Sequence, residues 1–430
     1  MNIQNMSKRG SIWSGILYMG LGTVIAQVVN ILVQPLLTRI VSPENLGIYT
    51  YVVSLATMVI PIATLKVDML IVTDATDEDA QYTTDVCILL NFIVSAVFVF
   101  VIVIGSHVSE NNVFNKYGRI SYFAPLLVFT NGLRFLFISY NNRYQKYRLI
   151  SAVAIIREIA RAVIQVALGV LTGGPVGQIA GYAVSPVFGL HLQMKEYIQK
   201  FKHRRCISWE TVRNVIFDKG RKQILYLVPA QFINSFSASL ITVSISTLYT
   251  ATTLGYYSAG ARVLDIPILF ITSNVSKVMF QRVSEYSEKK KPIFKLVLSV
   301  VAVLSAVSFA GFTVLYIIAP QLAEIAFGNG YAVSGTYIRC LCVMYAVRLV
   351  ASSFSGLYTV FKKQKYEFLM NIIFIAVAVC AYVICKWNNW PVTTYLSIIG
   401  AGYAIGYIIF LLSYVILCLC YDRSLSEKKQ

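Results

Sequence analysis

The sequence predicts an all-α, polytopic membrane protein of about twelve transmembrane helices. Three observations carry that prediction: an apolar composition, regularly spaced apolar runs, and basic residues gathered on one side of those runs. Of the 430 residues, 57% are hydrophobic and 13% charged, where a soluble chain carries roughly 25% charged residues. Mean hydropathy is +0.67. With about 20 apolar residues needed per span, the chain holds a dozen spans and no sizeable soluble domain.

The apolar runs cover 11–38, 46–73, 86–107, 119–140, 149–171, 175–194, 223–249, 255–280, 296–319, 333–359, 367–386 and 393–420. The fifth is interrupted by Arg157, Glu158 and Arg161, and the sixth by Gly181, Pro186 and Gly189. Without that pair the chain keeps ten spans and the same orientation elsewhere. Lys8 and Arg9 precede a first run too long for a cleaved signal, so it reads as a retained helix.

Orientation follows from Lys and Arg. One side of the runs collects 25 of them and the other only Arg39, Lys116, Arg119 and Lys386. Basic loops stay in the cytoplasm, which predicts both termini inside. One inner loop runs against the trend: Asp74 to Asp79 holds four acids and no base, and reads as a solvated acidic turn. Because the basic residues fall in short clusters between apolar runs, the net charge of +18 does not indicate a nucleic-acid binder.

The longest polar stretch, 195–222, divides the chain into an N-terminal six-helix bundle (1–194) and a C-terminal one (223–430). Within it Trp209, Val212, Val215 and Ile216 recur at helical spacing among basic residues, which suits a helix lying on the inner membrane surface. Leu46-Gly47-Ile48-Tyr49 opens the second span, and Leu254-Gly255-Tyr256-Tyr257 opens the eighth. Six helices per half give both halves the same orientation, hence a parallel repeat.

Eight cations lie inside predicted spans: Lys66, Arg134, Arg157, Arg161, Arg262, Lys277, Arg339 and Arg348. Only three acids accompany them, Asp68, Glu158 and Asp265. A cation near a helix centre costs about 2.5–3.5 kcal/mol on the insertion scale. Lys66 and Lys277 lie near inner ends and can reach water along their own stems. Arg161, Arg262 and Arg348 are too deep for that, so they are expected to face a watery interior suited to an anion. The competing expectation is local pairing of Arg262 with Asp265 and of Lys66 with Asp68. Gln27, Asn30 and Gln34 form a polar stripe on the first helix, and Asn234, Ser235, Ser237 and Ser239 mark the seventh. Either set can line a cavity or join helices.

The eight cysteines fall mostly in apolar runs and the three histidines are scattered, so no metal site is expected. Glu44, Glu110 and Glu324 stand isolated in short outer loops and form no acid/base pair, which argues against a membrane glycosyltransferase or polymerase.

Pro35-Leu-Leu-Thr-Arg39-Ile-Val-Ser-Pro43-Glu-Asn-Leu-Gly47-Ile-Tyr49 resembles the first hairpin of polysaccharide flippases that export O-antigen and related repeat units. Leu254-Gly-Tyr-Tyr257-Ser-Ala-Gly-Ala-Arg262-Val-Leu-Asp265-Ile-Pro267, continuing into Met279-Phe-Gln281-Arg282-Val-Ser284-Glu285, is similar to that family's eighth helix. The superfamily also contains lipid II flippases and multidrug exporters. The resemblance implies two six-helix bundles in a V around a central cavity, an undecaprenyl-diphosphate-linked oligosaccharide as cargo, and a place in the bacterial inner membrane beside glycan polymerase machinery. It implies no cofactor beyond a coupling proton or sodium. It gives Arg262 a cavity-facing role, with Asp265 as its acidic neighbour. The relatives' basic residue early in helix one has no counterpart, because Gln27 and Asn30 stand there. A multidrug antiporter is the nearest rival, but eight embedded cations against three acids suit cationic drugs poorly. A sugar-phosphate transporter of the major facilitator type would show a basic loop where Asp74–Asp79 stands.

In a cysteine-free background, an impermeant thiol reagent added outside intact cells should label Asn112→Cys and Asn329→Cys. It should spare Arg204→Cys and Lys290→Cys, and labelling of Arg204→Cys would reverse the orientation.

Overall fold

The computed structural model describes residues 3–108, 114, 116–201, 208–363 and 365–427, and among them every regular element is helical. The labelling positions Asn112 and Arg204 lie outside the described residues. Ten helices are long and apolar enough to cross a membrane. The protein is thus a multi-pass membrane protein, and its chain divides into two compact units, Met1–Thr247 and Leu248–Gln430.

The first unit runs α1 (Ile3–Ile40), α2 (Pro43–Val59), α3 (Leu70–Thr73), α4 (Asp77–Val108), α5 (Phe123–Arg143), α6 (Tyr147–Thr172), α7 (Pro175–Val184), α8 (Leu190–Phe201), α9 (Trp209–Arg213) and α10 (Val228–Leu248). The two runs missing from the ten fail for opposite reasons. Every 18-residue window of α6 contains Arg157, Glu158 and Arg161. The sixth run is broken between α7 and α8 by the turn Ser185–Val187 around Pro186, where proline cannot donate to the preceding turn.

The run 46–73 is likewise not one helix. It stops at Val59, passes Pro61, and turns through Leu65 and Lys66 at positive φ before α3. Asp68 therefore does not pair with Lys66. It accepts hydrogen bonds from Thr64 Oγ1 at 2.6 Å and Ser139 Oγ at 3.0 Å.

Helix α2 begins at Ser42, whose hydroxyl accepts from Asn45 N–H at 3.3 Å, with Pro43 in the first turn. This is a start signal that leaves no donor stranded. Asn45 Nδ2 donates to Gly173 O at 2.7 Å, tying the start of α2 to the end of α6. Helices α1 and α6 pack side by side and parallel. Gly22 lies against Ser151 at one end, and Ile40 lies against Gly169 at the other.

The basic stretch 195–222 does not behave as a free surface helix. Val212 and Val215 are buried in a cluster with Phe137, Tyr140 and Tyr197, and Ile216 packs against it. Trp209 remains exposed. The same segment answers the acidic turn: Lys219 Nζ lies 3.3 Å from Asp74 Oδ1 and 3.1 Å from Asp79 Oδ1. Burial alone would lower the Lys219 pKa, but the hydrogen bonds to Asp79 and Asp74 outweigh it and raise it. Arg143 completes the arrangement, donating to Asp77 at 3.1 Å and to the carbonyls of Ile71 and Asp74 at 2.8 Å each. The turn read as solvated is the counter-charge for Arg143 and Lys219.

The second unit contains α11 (Ala251–Pro267), α12 (Ser273–Glu288), α13 (Phe294–Phe327), α14 (Ala332–Ser352), α15 (Leu357–Val360), α16 (Lys365–Asn388) and α17 (Val392–Glu427). Helices α11 and α12 form one span interrupted by a π-helical turn, Ile268–Thr272, which follows Pro267. Helix α14 is the hub, packing against α11, α13 and α17. Asp422 near the end of α17 accepts from the N–H groups of Ile293 and Phe294, at 2.7 and 3.0 Å, and so caps α13.

One embedded arginine is explained by a proline. Pro320 inside α13 has no N–H to give the carbonyl four residues back, at Tyr316. Arg339 of α14 supplies it, donating to Tyr316 O at 2.9 Å and Ile317 O at 3.0 Å. Gly335 permits the approach, since a Cβ there would fall 2.3 Å from Pro320 Cα. Arg339 therefore serves the helix pair and not a cavity. Arg339→Leu should cost about 1–3 kcal/mol, the penalty for leaving carbonyls unsatisfied on a helix surface where lipid offers no donor. The cost should shrink in a Pro320→Ala background, where the restored amide bonds Tyr316. Melting of the detergent-purified variants measures both, and equal losses in the two backgrounds would refute the link.

Candidate functional site

Each unit holds an arginine-centred site among its helices, and the two differ in charge balance.

In the second unit Arg348 Nη1 of α14 lies 3.5 Å from Asp265 Oδ1 of α11. The guanidinium stands over the Tyr345 ring, 5.1 Å from its centroid. Tyr257 and Tyr407 are within electrostatic reach of it. Asp265, Arg348 and Tyr407 lie 14, 16 and 15 residues past the first residues of α11, α14 and α17. That is about 21–24 Å along each axis at 1.5 Å per residue. The helices start from a common end: Tyr249, just before α11, donates to Trp390 O just before α17 at 3.0 Å. Tyr256 of α11 packs edge-on against Tyr331 at the start of α14. Charge and tyrosine hydroxyls thus meet at one depth.

Arg262 does not pair with Asp265. Side chains lean toward the N-terminal end of a helix, so Arg262 is carried away from a residue three positions later. Asp265 is left to reach α14. Arg262 is half-buried and within electrostatic reach of Tyr331.

In the first unit Glu158 of α6 is buried between two arginines of its own helix. Arg157 Nη2 lies 2.5 Å from Oε1, and Arg161 Nη2 lies 2.7 Å from Oε2. The second contact is an ion pair too bent to count as a hydrogen bond, since Oε2 has no aligned donor. Arg134 of α5 is a third cation in the group, within electrostatic reach of Arg157, Glu158 and Arg161. Its guanidinium stacks 3.9 Å from the Phe135 centroid, and its Nε is buried with no hydrogen-bond partner among the described residues. Tyr182 of α7 lies under Arg161 at 5.9 Å and meets Tyr49 of α2 edge-on. Three arginines share one carboxylate, and the cluster carries a net charge of +2.

The polar stripe of α1 sits at this level. With Gly22 beside Ser151 and Ile40 beside Gly169, Asn30 and Gln34 stand opposite residues 159 and 163, on either side of Arg161. Gln34 Nε2 donates to Asn30 Oδ1 at 3.1 Å, and Gln27 is half-buried one turn earlier. Asn234 is not brought to either site. It is exposed on α10, which belongs to the first unit, and its side chain bonds no described residue. The sequence reading missed Tyr182, Tyr345 and Tyr407, although a mid-span tyrosine needs a partner for its hydroxyl and so carries a legible signal.

The family described as polysaccharide biosynthesis proteins matches residues 36–335. An uncharacterized membrane protein in the cps region of Klebsiella pneumoniae is 25% identical over 245 residues, covering 54% of this chain. The chain spans about half the length of that relative, 47%. Among solved structures, the lipid II flippase MurJ in an inward closed conformation superposes with a TM-score of 0.73. It is 12% identical, covering 95% of this chain and 90% of its own. An inward-facing multidrug resistance transporter of the MATE family reaches 0.64 at 13% identity, covering 97% and 100%. A MOP superfamily transporter from Pyrococcus furiosus, described as having a binding pocket of reverse polarity, reaches 0.57 at 15%, covering 98% and 96%. These likenesses establish a shared fold.

The pairing of Asp265 makes a stability prediction. Arg348→Ala should lower stability by about 1–3 kcal/mol, because it leaves the Asp265 carboxylate inside the spans without its charged partner. Arg348→Ala with Asp265→Ala should recover most of it. Arg262→Ala should leave the pair intact, and a loss on Arg262→Ala that Asp265→Ala rescues would restore the i, i+3 pairing instead. Thermal melting in detergent reads all three.

Proposed function

Since the chain belongs to the polysaccharide biosynthesis protein family, we propose that it is a flippase, carrying an undecaprenyl-diphosphate-linked oligosaccharide from the inner to the outer leaflet of the bacterial cytoplasmic membrane by alternating access. The observation behind this reading is the surplus of positive charge around Glu158. Two of the three arginines are committed to one carboxylate, and the third buries a donor that no described residue bonds. Leaving such a group unmet is costly, and an anion with several oxygens removes the cost. A diphosphate fits, because guanidinium forks hold two phosphate oxygens at once and stay charged at any cellular pH. In the second unit Arg348 is balanced by Asp265, and Arg262, the residue singled out by the flippase resemblance, stands on the same helix as that acid.

A cationic drug as cargo is poorly served by these sites, since both of their carboxylates, Glu158 and Asp265, already face arginine. The cycle in this reading is transport without covalent chemistry, coupled to a proton, sodium or the membrane potential.

Complementation of surface glycan in a strain lacking the gene tests the reading, with protein level checked by immunoblot. Arg157→Ala with Arg161→Ala should reduce export at least tenfold, and the paired Lys substitutions should keep part of it. Arg262→Ala should export little and Arg262→Lys more. If the arginines only neutralise Glu158, adding Glu158→Gln to the alanine pair should restore export. Recovery in that triple variant would discard the substrate role.

A further inference from the structure

Helix α12 presents Ser273, Ser276, Lys277 and Phe280 at i, i+3, i+4 and i+7, a single face at helical period. They form one wall of a groove of about 610 Å³. The turn leading into α15 supplies Ser355 and Thr359 opposite, and Glu367 closes the groove from the first turn of α16. The size falls in the range of small-ligand sites, about 300–1,000 Å³.

Two features set this groove apart from an ordinary wetted surface. Lys277 and Glu367 face it from different helices yet form no ion pair, and neither charged group bonds any described residue. The hydroxyls of Ser276, Ser355 and Thr359 are also unpartnered among the described residues. Ser273 donates to Leu269 O at 2.6 Å, leaving its lone pairs free. An aromatic ring then lies exposed amid these polar groups: Phe280 is 42% exposed. It rests on Gly356, where a Cβ would come within 3.0 Å of the ring. Helix α12 runs on from the groove to Lys289–Lys291, and Glu367 follows Lys362–Lys365 at the start of α16, so the groove lies toward the end that the charge asymmetry assigns to the cytoplasm.

We propose that this groove binds a sugar ring of the lipid-linked glycan on the cytoplasmic side, and so reads the identity of the cargo. The inference rests on the flippase reading above. A pyranose offers an apolar C–H face, which lies flat on a phenyl ring, and a rim of hydroxyls that both donate and accept. Glu367 accepts from two neighbouring sugar hydroxyls, and Lys277 donates to a ring substituent or an acidic sugar. The serine and threonine hydroxyls serve in either sense. The glycan's diphosphate is left to the arginine sites, so sugar and phosphate are recognised by separate groups of residues.

The full chain in nanodiscs tests this with two probes: lipid-linked oligosaccharide extracted from the producing cells, and sugar-free undecaprenyl diphosphate. Wild type should bind the glycosylated lipid at least tenfold more tightly. Phe280→Leu, Glu367→Gln, and Ser276→Ala with Thr359→Val should each weaken binding of the glycosylated lipid about tenfold. Binding of the sugar-free lipid should stay within twofold. Equal loss on both probes, or no loss on either, overturns the sugar site while leaving the flippase reading in place. Wild type that binds neither probe overturns the flippase reading and this inference with it. Phe280→Leu keeps an apolar side chain against Gly356, so a fall confined to the glycosylated probe reports recognition and not misfolding.

Discussion

The cost of placing guanidinium groups among lipid-spanning helices is the constraint on which this structure depends. Each deep arginine must meet an acceptor inside the protein, and the chain meets that demand in three ways. Arg339 uses the Tyr316 carbonyl released by Pro320 and the neighbouring carbonyl of Ile317. Arg348 uses a carboxylate on a neighbouring helix. Arg157 and Arg161 share Glu158 within their own helix. The first two arrangements balance locally. The third leaves a surplus once Arg134 is added, and a surplus kept inside a membrane protein is where a ligand of opposite charge has most to contribute.

The same reasoning accounts for the acidic turn at 74–79. Acids weigh little in setting orientation, so this loop could be acidic without altering topology. Its role is local: it holds Arg143 from α5 and Lys219 from the segment joining the first eight helices to α10. Val212 and Val215 bury their side chains in the cluster beside it. What composition suggested was a membrane-surface linker is a strap anchored by apolar contact and closed by ion pairs.

The spans themselves were legible because hydropathy depends on composition alone, and ten of the twelve apolar runs correspond to helices long and apolar enough to cross. Breaks within runs were legible only as prolines. Pro61 is such a signal, yet 46–73 reads as one run, and nothing in the sequence indicated that Leu65 and Lys66 would take positive φ. Site residues were legible as types and not as pairs. Arg348 and Asp265 stood out as charges in apolar runs, whereas their union crosses 83 residues and follows from the packing of α11 on α14. Sequence spacing favoured Arg262 instead, since i, i+3 contacts are the ones a single helix reveals. Arg134 carried no separate signal, because its grouping with Glu158 exists only once α5 and α6 are side by side.

The division of recognition proposed above, between arginine sites and a hydroxyl groove, has a physical logic. Charge–charge attraction is strong but indifferent to which sugar follows the phosphate, so arginines alone would grip every polyprenyl diphosphate in the membrane. Hydroxyls, a carboxylate and an exposed ring contribute less energy but depend on where each sugar hydroxyl points. A mismatched ring leaves Glu367 or Lys277 without the partner it gave up water to meet. Discrimination then arises as a penalty on the wrong cargo and not as extra affinity for the right one. Such a division lets the sugar-reading residues change with the glycan while the arginine framework, which the fold needs for its own charge balance, stays fixed.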